Sequence, residues 1–200
     1  MKKIDNKKVF GTLADIRPKC PPYRQGALDS LCSIYSALNA IRYLSADFGY
    51  KKAHALFSDM VAKIYEGKSA MPEIQEILCE GSDRIPFCCL EGTPYELNHK
   101  RPYHLKKNRP KTVNKFMVSL GALVNRPDRC SIIVVEDTLE NWCHYTVVWG
   151  VDAQGLHLYD SSPRWNIIKP HQLLIDGGLE DEGNRFKLLP SWTEVVEAKR

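Results

Sequence analysis

Cys32 stands in the first turn of a segment whose apolar residues recur at helical spacing, a place where a thiol can become a nucleophile. A free thiol is mostly protonated at neutral pH. The partial positive charge of a helix N-terminus and a nearby imidazolium both stabilise the reactive thiolate. Ser30 and Ser33 are nucleophile candidates beside it, but a hydroxyl needs far more activation than a thiol. Attack on a carbonyl builds negative charge on its oxygen, and donors must already be in place to meet it. The backbone N–H of Cys32 is one such donor. The side-chain amide of Gln25, seven residues upstream, is a second, and Gly26 allows a tight turn between them.

The base for such a thiol comes from elsewhere in the chain, because these sites assemble in space. Of six histidines, only His144 opens a β-branched and aromatic run, in CHYTVVWG. The next such run delivers Asp160, sixteen residues on, which can accept a hydrogen bond from the imidazole and fix its tautomer. On adjacent antiparallel strands these two share a face only if the pairing sum is even. That predicts a loop with an odd number of residues between them, with Gly155 at a left-handed position and a bulge, and excludes a two-residue turn.

The elements that must position these groups fall into two halves. The first 25 residues are polar and rich in proline, which predicts an extended lead-in. A helix then runs from a cap at Asp29 or Ser30 to Gly49. A second covers 50–66, and Met71 to Glu80 adds a short third. Another helix is predicted over 112–125, stopped by Pro127. After it the texture changes to strand-forming runs at 131–136, 143–150, 155–160 and 186–189. The expectation is one α+β domain over 1–200, with the nucleophile at a helix N-terminus packed on a C-terminal antiparallel β-sheet.

Taken together, Gln25 and Cys32 in QGALDSLCSIYSALNAI and His144 and Asp160 in HYTVVWGVDAQGLHLYDSS resemble papain-like cysteine peptidases. More closely they resemble the bacterial peptidases that trim double-glycine leaders from bacteriocins. The resemblance covers about residues 23–44 and 131–163. It implies a papain-like fold with Gln25 at the oxyanion hole, Cys32 as nucleophile, His144 as general acid and base, and Asp160 as orienter. The chain departs from the leader peptidases in having Ser-Leu between Asp29 and Cys32, Ser33 in place of glycine, and a Gln–Cys gap one residue longer than usual. The implied activity is cleavage of peptide or isopeptide bonds in a peptide or protein substrate. Transamidation and deamidation use the same site, and a catalytically silent peptide-binding module is the rival from another class.

Composition sets outer bounds. With 200 residues, 44% of them hydrophobic, the chain can bury a core without disulfides. The odd count of seven cysteines and the charged start MKKIDNKKVF point to a reducing, cytoplasmic setting, with signal-less export as an effector the alternative. No stretch is apolar enough to span a bilayer. Cys79, Cys88 and Cys89 lack the spacing of paired zinc thiolates, so neither metal nor cofactor is expected. The net charge of +4 is too mild to demand a polyanion. Residues 99–111, HKRPYHLKKNRPK, concentrate positive charge, with His99 and His104 expected to face solvent. The leading reading of that segment is a solvated loop with two prolines; as a functional surface it suits an acidic partner or a lid better than nucleic acid. Cys143 is expected to pack on the face opposite His144, and Trp142, Trp149 and Trp165 to fill the core or wall a cleft.

Overall fold

A computed structural model of the chain describes residues 13, 16–24, 31–45, 47–65, 95, 97–140, 142–162, 166–176 and 184–199. Helix α1 spans Cys32–Leu44, and Ile34, Ala37, Leu38 and Ile41 give it one fully buried stripe at i, i+3, i+4 and i+7. It starts and stops inside the predicted limits. The cap position, one residue past Ser30, is Leu31, which offers no side-chain bond, and the helix ends at Ser45, whose N–H bonds to Ile41 O, four residues before Gly49. Gly49 instead leads into α2, Tyr50–Tyr65. The predicted helix at 71–80 lies outside the described residues. Helix α3, Val113–Val124, is capped by Thr112, whose hydroxyl accepts from Lys115 N–H.

Among the described residues, eight strands form one sheet: β1 Leu97–Lys100, β2 Arg129–Asp137, β3 Trp142–Val151, β4 Leu156–Leu158, β5 Ile167–Ile168, β6 Leu173–Ile175, β7 Phe186–Leu188 and β8 Glu194–Ala198. The order is β1-β8-β2-β3-β4-β5, all antiparallel. β7 pairs with the end of β2 while β8 pairs with its start, so the two are one strand interrupted at residues 189–193. Only β6, parallel to β7, departs from the antiparallel pattern.

Each face of the sheet carries its own apolar cluster, which makes the fold α+β with helices on both sides. Ile132, Val134, Tyr145 and Val147 pack against α1, and Phe48 just before α2 joins Ala53 and Met60 of α2 in the same cluster. Ile133, Val135, Val148 and Leu156 pack against Phe116, Leu120 and Val124 of α3. Asn125, just past α3, clamps the far end of β3, accepting from Val151 N–H and donating to Val151 O at 2.9 and 2.8 Å.

The β3–β4 connection corrects the loop expectation. Asp152 N–H bonds to Gly155 O, and Val151 pairs with Leu156, so the loop is even-numbered. A bulge between Val148 and Gly150 then inserts one residue in β3 and restores the even pairing sum, giving Val148 opposite Leu158. The strand is therefore re-registered by the bulge and not by the turn. Gly155 has φ +149°, an extended positive-φ conformation reserved for glycine, instead of the left-handed one expected. A Cβ at this position would collide with the backbone oxygen of Ile168. Gly155→Ala is expected to lower stability by about 3 kcal/mol, read as a fall in the urea midpoint with an unchanged slope.

Candidate active site

Cys32 is the first residue of α1 and is buried, with no acidic residue in the first turn to oppose a negative charge there. His144 lies near the start of β3 opposite Val135, and Asp160 lies just past β4. Tyr159 N–H bonds to Val147 O, which continues the re-registered ladder and sets Asp160 on the His144 face. The His144 Nε2 sits 3.0 Å from both carboxylate oxygens of Asp160. The Cys32 side chain lies close enough to the ring to act on its charge, and with Nε2 engaged by Asp160, Nδ1 is the nitrogen left for a thiol. Cys32 itself packs in the α1-side cluster.

The electrostatics follow from these neighbours. Burial opposes a charged ring at His144, but the hydrogen bonds to Asp160 and Cys32 and the charge of both groups outweigh it and push the imidazole up to about 10. Near neutrality the ring is an imidazolium between two groups that gain from its charge. Asp160 is buried, and one of its oxygens also accepts the Ser162 backbone N–H, which fixes the carboxylate. Burial pushes the thiols of Cys130 and Cys143 up, the latter helped by Glu136 and Cys32.

Of the four residues singled out in the sequence, Cys32, His144 and Asp160 are brought together, and Gln25 lies outside the described residues. The chain just before Gln25 is nevertheless held firmly. Asn39, buried mid-helix, accepts from Tyr23 N–H at 2.7 Å and donates to Tyr23 O at 3.1 Å. Arg42 adds bonds to Pro21 O and to the Tyr23 hydroxyl. Asn39 was legible only as a polar residue on an apolar helical stripe.

Two further residues differ from their expected places. Cys143 does point away from the His144 face, opposite Glu136, but it is exposed and not packed. His99 does not face solvent with the basic loop: it sits on β1 and its ring bonds to the buried Glu194 carboxylate. The tryptophans divide. Trp149 is core, Trp165 lies outside the described residues, and Trp142 meets the His144 ring edge to face at 5.6 Å.

Trp142 is held there by a relay the sequence did not reveal. Its indole N–H donates to Glu140 at 2.9 Å, and Arg185 donates to the other Glu140 oxygen at 3.0 Å and to Asp137 at 2.7 Å. Burial opposes charge on Asp137, yet Arg185 and the N–H groups of Leu139 and Glu140 hold its carboxyl below the usual range. The indole is thus held against the imidazole. Trp142→Ala removes an aromatic contact of about 1 kcal/mol and is expected to slow Cys32 alkylation roughly fivefold, with Trp142→Phe close to wild type.

No family model matches the chain, and the search of curated proteins found no match. Among the described residues, no helix is long and apolar enough to cross a membrane.

Proposed function

We propose that the chain is a cysteine hydrolase of papain-like architecture that cleaves peptide or isopeptide amide bonds through a thioacyl intermediate. The observation that carries the reading is Cys32 at a helix N-terminus, near enough to His144 to act on its charge, with the His144 Nε2 held by buried Asp160. The Cys32 sulfur attacks the amide carbon, and the oxyanion is met by the Cys32 backbone N–H and the Gln25 amide. The His144 imidazolium gives its Nδ1 proton to the leaving nitrogen as the C–N bond breaks. The neutral ring then takes a proton from water, which attacks the thioester, and the sulfur leaves as thiolate paired again with the imidazolium. Asp160 orients the ring throughout. Cys20, Cys32, Cys130 and Cys143 are all unbridged, which suits work in a reducing cytoplasm.

The test is to incubate the wild-type chain and Cys32→Ala with a peptide vinyl sulfone and locate the adduct by mass spectrometry. Stoichiometric labelling at Cys32, absent from the variant, supports the reading; labelling spread over the exposed thiols in both proteins counts against it.

A further inference from the structure

Between residues 97 and 127 the chain carries eight Lys or Arg and no Asp or Glu, whereas the remainder is net acidic. Lys100, Arg101, Lys106, Lys107, Arg109, Lys111 and Lys115 are all exposed. The nearby acids of β8 are already engaged, Glu194 by His99 and Glu197 by Arg129. Among the described residues, Lys106, Lys107, Lys111 and Lys115 have no acidic partner. Like charges crowded this way repel one another, and a merely solvated loop would relax by fluctuating.

This loop is instead tied down. Tyr103 is buried, its ring 5.7 Å from Phe116 and its hydroxyl 2.7 Å from Ser119 Oγ. The Arg109 guanidinium donates to the carbonyls of Tyr103 and His104, and a short 3₁₀ turn at Lys106–Asn108 closes the tip. Leu105 stands exposed beside Lys106 and Lys107. The result is a preformed cationic surface around one apolar side chain, which reduces the ordering cost of binding.

We infer that residues 100–115 form a docking platform for an acidic polypeptide segment of the substrate, with carboxylates on the lysines and an apolar residue over Leu105. This rests on the reading of the chain as a hydrolase of proteins. A polypeptide fits better than nucleic acid because the loop's aromatic ring is buried and offers no stacking face, and because Arg109 is turned to loop carbonyls and not free for bidentate phosphate contact. It fits better than a membrane because a single exposed apolar side chain is too little to insert.

The test uses the full-length chain with Cys32→Ala and a fluorescein-labelled, glutamate-rich peptide with one central leucine, followed by anisotropy at physiological ionic strength. The expected result is saturable binding, weakened at least about tenfold by Lys106→Glu, Lys107→Glu and Lys111→Glu together, and about threefold by Leu105→Ser. Reversing Lys51, Lys169 and Lys199 instead changes net charge equally and is expected to leave binding unchanged. Absent binding, equal losses in both triple variants, or tighter binding to a single-stranded oligonucleotide or to phosphatidylserine vesicles overturns the platform. Cys32 labelling in the wild-type chain is scored separately. Peptide binding with an inert thiol removes the hydrolase reading and the peptide's role as substrate segment; a reactive thiol without peptide binding removes only the platform.

Discussion

Replacing His144 with alanine is expected to slow amide hydrolysis about 10³-fold while the chain still folds. In the proposed mechanism the loss is large because one ring serves three purposes: it pairs with the thiolate, protonates the leaving nitrogen and deprotonates the incoming water. The backbone of β3 remains paired with β2 through Val135 and its neighbours, so circular dichroism is expected to change little. Stability is expected to fall by about 3 kcal/mol, because the buried Asp160 carboxylate loses its cationic partner. Added imidazole is expected to restore part of the rate by occupying the space left by the ring. Steady-state rates with and without imidazole check this; an unchanged rate in the variant would exclude His144 as base.

Asp160→Asn acts through the charge of the ring. Asparagine keeps the size of the side chain but removes the carboxylate that, with Cys32, overcomes the burial of His144. The imidazole is therefore expected to fall from about 10 toward its ordinary value of 6.5, followed through its NMR titration. Stability carries a matching sign. A histidine whose pKa is raised on folding stabilises the native state fully below its unfolded value, 6.5, and loses that contribution as pH rises through about 10. Wild type is thus expected to exceed Asp160→Asn by about 2 kcal/mol at about pH 6, with the gap closing above about pH 10. A constant gap across this range would mean that the carboxylate supports packing alone. The hydrolysis rate at neutral pH is expected to fall by about 10²-fold, since the ring loses both its orientation and its charge.

What the sequence conveyed reflects the range of the forces concerned. Ile34, Leu38 and Ile41 mark α1 through local periodicity, and the β-branched runs mark β2 and β3 because both faces of these strands are buried. Short strands were not legible. β5 and β6 have two and three residues, too few to show alternation, and the polar LNHK of β1 is a strand only because β8 pairs with it. β8 itself is separated from β7 by a break at Pro190–Trp192 that hides their shared pairing with β2.

The site divides along the same line. Cys32, His144 and Asp160 were visible because each residue type sits at an element boundary where its chemistry is useful. The even-numbered turn between β3 and β4 was misjudged because the compensating bulge at residues 148–150 leaves no composition signal beyond Gly150. The Trp142 relay and the His99–Glu194 pair stayed hidden because their partners lie 45 and 95 residues away, at distances set by the fold alone. Asn39 and its grip on Tyr23 needed the lead-in to be placed along α1 before it had meaning.

The most direct measurement is the rate of Cys32 alkylation by iodoacetamide against pH, followed by peptide mass spectrometry, in wild type and His144→Ala. A thiolate held by the His144 imidazolium gives labelling that stays rapid well below about pH 8 in wild type and collapses in the variant. Slow labelling that rises only with ordinary thiol ionisation, and does so equally in both proteins, would contradict the pairing and with it the hydrolase reading.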